Sequence, residues 1–166
     1  MNPLTPLVRR VGRYRWLMRL APVIIFSDER VQRLTGGRIG LVGLAGLPSL
    51  RITVTGRKTG LPRTTSLLCV PYGEQYIVTG SNWGRREHPA WTVNLIANPE
   101  ATIVVNACTL DVKARKVTGE EYHRLWATIV DFWPGYEMER ELAGGRDFRM
   151  FLLERTKLIP LCKERP

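Results

Sequence analysis

A chain of 166 residues with 44% hydrophobic content is long enough to bury a real core as one domain, and too apolar to be disordered. Its net charge of +10 is unevenly placed: residues 1–86 hold 14 Lys/Arg against 3 Asp/Glu, whereas residues 87–166 hold 11 against 12. The excess points to an anionic partner. Nucleic acid is not expected, because no zinc-finger spacing, RNP-type aromatic strand or basic helix joined to a heptad zipper is present.

Residues 1–27 contain five arginines and no acid. On a helical wheel Leu7, Val11, Tyr14, Met18 and Ala21 share one face, while Arg9, Arg13, Arg15 and Arg19 lie off it. This is an amphipathic helix, which either packs on its own domain or docks on anionic lipid. Arg19 and Pro22 interrupt the only long apolar run, so no transmembrane span is expected, and a secretory signal is poorly matched. Gly36, Gly37, Gly40, Gly43 and Gly46 then read as a linker. The expected organisation is a helix and Gly-rich linker over 1–49, a main domain over 50–157 and a tail over 158–166.

The main domain reads as β-rich. Strands are expected at 50–55, 65–72, 75–81, 101–107 and 109–117, from β-branched alternation and short apolar runs, with Gly73-Glu74 as a hairpin turn. A short helix is expected at 88–97, with Pro89 in its first turn and Asn98-Pro99 ending it. Thr118-Gly-Glu-Glu121 is a capping-box pattern opening a second helix. Tyr122, Leu125, Trp126, Ile129 and Val130 form the apolar face of that helix. Pro134-Gly135 breaks it, a helical piece follows at 136–142, and Phe148–Leu153 reads as the last strand.

Cys69, Cys108 and Cys162 are odd in number and never form Cys-x-x-Cys, which suits a reducing cytoplasm. Cys69 and Cys108 lie in apolar runs and read as plain core thiols. With only His88 and His123, a His-rich zinc site is not expected, nor any metal.

Chemistry concentrates in two places. Thr55-Gly-Arg-Lys-Thr-Gly-Leu-Pro-Arg63 packs three cations and two glycines between two strands. Glycine frees the backbone to turn toward a ligand, and Arg57, Lys58 and Arg63 supply charge-assisted donors for phosphate or polycarboxylate. The Walker spacing is missing, and the Lys58-Thr-Gly60 triplet has no Ser-x-x-Lys partner. A Gly-flanked basic turn is equally often a soluble hairpin, so this motif alone says only that an anion fits here. The second place is the helix at 88–97, where Trp91 and Asn94 lie one turn apart near the positive end of the helix dipole. An aromatic beside an amide suits a ring-bearing anion, but Trp91 taken alone is more often a core residue.

Together, Gly56-Arg-Lys-Thr-Gly60…Arg63 and Ser81-Asn…Gly84…His88-Pro-Ala-Trp91…Asn94…Asn98-Pro99 resemble the deazaflavin-dependent nitroreductase family. So does Thr118-Gly-Glu-Glu…Trp126…Trp133-Pro-Gly-Tyr136. The resemblance covers about residues 50–155. It implies an α+β, mainly β fold: a split β-barrel of the FMN-binding-like kind with flanking helices. It also implies coenzyme F420, an 8-hydroxy-5-deazaflavin carrying a phosphodiester and an oligoglutamate tail, which agrees with the basic half of the chain.

Carried over by position, the resemblance implies that Arg57, Lys58, Thr59, Gly60 and Arg63 meet the phosphate and tail. Thr65, Ser66 and Leu68 would follow the cofactor along the next strand. Ser81, Asn82, Ala90, Trp91 and Asn94 would surround the ring. Trp133 and Tyr136 would line the acceptor side, with Tyr136 and Ser81 as the catalytic pair, and Tyr136 free at a pocket mouth. Trp133 stands where a tyrosine is common in the family, Gly144-Gly145-Arg146 where a Thr-Asp pair is frequent, and Phe148-Arg149 where an apolar-proline pair is, so substrate choice is not copied from any relative.

The expected activity is hydride transfer from reduced deazaflavin to a small-molecule acceptor such as a quinone, nitroaromatic or activated alkene. The rivals are a non-catalytic cofactor carrier on the same barrel, an FMN enzyme, and a lipid-surface protein. The expected location is the cytoplasm, with the N-terminal helix able to reach the inner face of the cell membrane.

Overall fold

β-Branched and apolar residues alternate with polar ones along Ser49–Thr55, so Leu50, Ile52 and Val54 bury while Arg51 and Thr53 stay half-exposed. This strand, β1, opens the part of the chain that the computed structural model describes, residues 48–106 and 108–156. It is followed by β2 (Pro62–Tyr72), β3 (Gln75–Gly80), α1 (Ala90–Ala97), β4 (Glu100–Val105) and β5 (Cys108–Lys116). Then come α2 (Gly119–Phe132), α3 (Gly135–Leu142) and β6 (Arg149–Arg155). The strands form a closed antiparallel barrel in the order β1-β2-β3-β6-β5-β4, with β4 paired back onto β1. This is the expected mainly β barrel with flanking helices. The N-terminal amphipathic helix, the Gly-rich linker and the 158–166 tail lie outside the described residues.

Two apolar clusters hold the barrel. The inner one joins Leu50, Ile52, Val54, Cys69, Val78, Ile103, Val112, Phe151 and Leu153, and α1 contributes Leu95 to it. The outer one packs α2, through Tyr122, Leu125 and Ile129, onto Val70, Ile77, Met150 and Leu152. Strand alternation explains the split, since Phe151 and Leu153 face inward while Met150 and Leu152 face the helices. Each fully buried Leu or Ile contributes about 1.5–3 kcal/mol, so the face of α2 is a main anchor of the fold.

Several details differ from expectation. β2 begins at Pro62 rather than 65, because pairing continues to Thr55↔Pro62 and shortens the hairpin loop to 56–61. α1 begins at Ala90, with Pro89 extended (φ −66°, ψ 144°) at the cap position. Thr118 is the N-cap of α2 but makes no side-chain cap bond. Its box partner, the Glu121 carboxylate, is instead held by the Arg115 guanidinium at 2.7 and 2.9 Å. Cys69 is a free thiol that burial pushes up to about 12, which makes it inert at neutral pH. Cys108 is disulfide-bonded, so the expectation of a plain core thiol holds for Cys69 and fails for Cys108.

Candidate active site

The β1–β2 loop is closed by its own backbone. The Gly56 N–H donates to Leu61 O at 2.9 Å and the Gly60 N–H to Gly56 O at 2.7 Å, with Gly60 at φ 69°. A side chain at Gly60 would strain that left-handed turn. Closing the loop internally sends its side chains outward, and Arg57, Lys58, Thr59 and, at the start of β2, Arg63 are all exposed. Among the described residues no carboxylate forms an ion pair with Arg57, Lys58 or Arg63.

The loop is tied to α1. The Arg57 N–H donates to the Asn94 side-chain oxygen at 3.2 Å, which sets the cations beside the helix. α1 is held by Leu95 in the barrel interior and by Trp91, whose ring lies 5.8 Å from Phe151 in a tilted contact. Trp91 remains half-exposed, with Ala90 exposed beside it at the first helical position. Core packing and ligand contact are therefore compatible for this one ring. Along β2, Thr65, Ser66 and Leu68 are half-buried but do not share a face: Ser66 and Leu68 alternate with Thr65, and Leu68 packs on the outer cluster.

At the end of β3 the chain turns through Asn82 (φ 56°), Trp83 (φ 57°) and Gly84 (φ 72°). Consecutive left-handed residues other than glycine are costly, so something must hold them. Arg146 does so. Its guanidinium donates to Ser81 O at 3.1 Å and to Arg85 O at 3.0 Å, spanning the turn, and to His88 Nδ1 at 2.6 Å. His88 accepts that bond, and its pKa is lowered by desolvation and by Arg146, Arg149 and Lys116, so the imidazole is neutral at pH 7. Asn82 donates its side-chain amide to Glu87 O at 2.9 Å, closing the same segment.

Behind Ser81 lies a buried polar group. Glu139 on α3 is 5% exposed, and its carboxyl lies against Ser81 and Trp133, both of which favour its charged form. Desolvation outweighs them and raises it to about 7. Its second oxygen, Oε2, has no hydrogen-bond partner among the described residues. Tyr136 is 3% exposed and hydrogen-bonded to Thr79, and burial raises its phenol. Ser81 itself is half-exposed, so it stands between the buried carboxyl and the outside.

The structure thus brings Arg57, Lys58, Thr59, Gly60 and Arg63 together with Ala90, Trp91 and Asn94, and sets Ser81 and Asn82 at the end of the neighbouring strand. The expectation that Tyr136 is free to line a pocket mouth is corrected. Its ring is buried against Thr79 on the outer face of β3, and Tyr136 and Trp133 both sit in the outer core cluster. Glu139 and Arg146 are the residues that sequence reasoning missed. For Glu139 a signal existed: it lies three residues after Tyr136 and four before Ala143, on the apolar face of α3, where a carboxylate is out of place.

Comparison with known proteins agrees with this geometry. A family described as F420H(2)-dependent quinone reductase matches residues 26–154. An F420H(2)-dependent quinone reductase of Mycobacterium tuberculosis is 37% identical over 118 residues, covering 69% of this chain and 79% of that protein. The solved structure of an F420-H2 dependent reductase (FDR-A) is similar at 30% identity and TM-score 0.59, covering 64% of this chain and 94% of that one. A structure described as a domain-swapped dimer is similar at 28% identity and TM-score 0.61, covering 78% and 97%.

Proposed function

This chain belongs to the F420H(2)-dependent quinone reductase family, and from that premise we propose that it reduces a quinone with coenzyme F420 bound across the basic loop and α1. The observation that carries the reading is the Arg57–Asn94 bond, which sets a loop of three cations beside a helix that bears a half-exposed tryptophan. The residues present fit the cofactor: exposed cations with no carboxylate partner among the described residues suit the phosphodiester and oligoglutamate tail, and Trp91 with Ala90 suits a ring.

When bound, reduced deazaflavin supplies the hydride, and the redox chemistry is its own. The protein binds and orients. Arg57, Lys58 and Arg63 hold the anionic end by charge-assisted hydrogen bonds, with Thr59 and the Gly60 turn shaping the loop around it. Ala90, Trp91 and Asn94 set the ring's position, and Asn82, held by Glu87 O, fixes the turn that presents Ser81. A hydride donor and acceptor must lie in contact, so this positioning lowers the barrier. Thr65, Ser66 and Leu68 follow the cofactor along β2, with Leu68 also packed on the outer cluster. Ser81, half-exposed at the end of β3, offers a hydroxyl to the acceptor, and Tyr136 and Trp133 lie behind it in the core. Nitroaromatics and activated alkenes are further acceptors consistent with the same hydride donor.

The N-terminal arginines would carry the protein to anionic lipid on the inner face of the membrane, where apolar quinones reside. In the described part, no helix is long and apolar enough to cross a membrane. The test of the main reading is a titration of the purified protein with deazaflavin beside FMN, followed by quinone turnover with the reduced cofactor. Tight deazaflavin binding with turnover supports it. Preference for FMN, or binding without turnover, overturns it.

A further inference from the structure

We propose that Glu139 is the proton reservoir of the acceptor site and delivers its proton outward through the Ser81 hydroxyl. This rests on the quinone reductase reading above and goes beyond it, by naming the route of the second half of the reaction.

The geometry is that of a two-member relay. Glu139 is buried under α3, and its carboxyl touches Ser81, which is half-exposed at the end of β3. The carboxyl lies against Ser81 and the Trp133 indole, and Oε2 has no hydrogen-bond partner among the described residues. As a carboxylate, Glu139 would strand a charged, partnerless oxygen in the core, which is costly. As a neutral acid with its proton toward Ser81, it strands only a carbonyl oxygen. The buried site therefore favours the protonated form, in keeping with a carboxyl raised to about 7. An acid poised near neutrality is matched to proton transfer at neutral pH.

The surroundings leave Glu139 this role. From α3 itself the titratable neighbour is Tyr136, whose raised phenol stays neutral and is committed to Thr79. From the end of α2 comes the Trp133 indole, a donor only. From the turn after β3 comes Ser81, whose carbonyl, not its hydroxyl, is taken by Arg146. Arg146 is occupied by Arg85 O and the neutral His88. The next residue on α3, Arg140, pairs with Asp147 and lies over the Trp126 ring, and so does not neutralise Glu139.

The step balances. Quinone plus the hydride from reduced deazaflavin gives a hydroquinone monoanion, one proton short. An O–H bond forms at its anionic oxygen with the Ser81 proton, and the Glu139 O–H bond breaks as Ser81 is re-protonated. The Glu139 carboxylate then regains a proton from solvent, balanced by the proton that the cofactor would give up to solvent on oxidation. Glu139 acts through Ser81 and is thus a positioning residue for the proton.

The test has two arms on the full-length protein. First, the cofactor-free protein is titrated by tryptophan fluorescence, since Trp133 lies against the Glu139 carboxyl and reports its charge. A transition near pH 7 is expected that Glu139→Gln and Trp133→Phe each abolish and Ser81→Ala retains. Second, with saturating deazaflavin, wild-type kcat for a water-soluble benzoquinone should fall as pH rises through that transition. In Glu139→Gln and Ser81→Ala it should be roughly 10- to 100-fold lower and flat with pH, with cofactor affinity unchanged. A titration absent from the wild type, or an unchanged kcat profile in Glu139→Gln, overturns the relay while leaving the reductase reading intact. Intact titration and cofactor binding without quinone turnover in the wild type overturns the reductase reading, and the relay with it.

Discussion

The Arg57 backbone and the Asn94 side chain meet at 3.2 Å across 37 positions of sequence, joining the cationic loop to α1. An exposed bond of this kind contributes about 0.5–1.5 kcal/mol, and here it acts chiefly by fixing the loop before ligand arrives. Asn94→Ala is expected to weaken deazaflavin binding by roughly 3- to 10-fold. The fold should survive, because Leu95 and Trp91 still anchor the helix. Fluorescence titration with the cofactor and a urea melt check the two halves of this expectation.

The same loop predicts a salt effect. Arg57, Lys58 and Arg63 are exposed and have no acidic partner among the described residues, so their attraction for an anionic tail is screened by ions. Lys58→Ala with Arg63→Ala removes two charge-assisted contacts, together enough for well over a tenfold loss of affinity. Affinity measured against salt concentration should fall steeply in the wild type and more gently in the double variant. Equal slopes would place the tail elsewhere.

The barrel and this loop were legible in the sequence for local reasons. Strand alternation from Leu50 to Val54, the Gly73-Glu74 turn and the 56–63 cluster of glycines and cations each announce themselves within a few residues. The rest of the site depends on partners far along the chain. Arg146 reaches Ser81 O across 65 positions and His88 across 58, and nothing near Arg146 marks it as a clamp. Tyr136 was legible as the residue after a helix break but not as buried. That depends on Thr79 facing outward from β3 beneath α3, a fact of barrel registry.

Gly84 tests how tightly α3 is pressed onto the Ser81 turn. It sits at φ 72°, and an added Cβ would lie 2.9 Å from the Leu142 Cβ and 3.0 Å from Glu139 O. Gly84→Ala therefore combines left-handed strain with a steric push on backbone, and should cost about 1–3 kcal/mol or more. Gly73→Ala has the strain (φ 57°) but open space around the Cβ, and should cost only about 1 kcal/mol. Denaturant melts of the two variants compare them directly. The Gly84 change should also lower quinone turnover, because the same displacement separates Glu139 from Ser81.

Burying the Glu139 carboxyl has a consequence for stability that needs no cofactor to observe. Its pKa rises from 4.5 to about 7 on folding, mainly through desolvation. Below pH 4.5 the acid is neutral in both states and contributes no pH dependence. Between 4.5 and about 7 the unfolded chain loses its proton while the folded protein keeps it, so the unfolded state gains and stability falls with rising pH. Above about 7 both states are ionised and the loss levels off, having reached about 3 kcal/mol at 1.36 kcal/mol per pKa unit. Glu139→Gln keeps the shape and the Ser81 and Trp133 contacts but cannot ionise. The variant should match the wild type near pH 4.5 and become the more stable protein at pH 8, measured as the free energy of urea unfolding at each pH. A variant less stable than the wild type at pH 8 would mean that Glu139 works as a paired, stabilising carboxylate, contrary to its unpartnered Oε2.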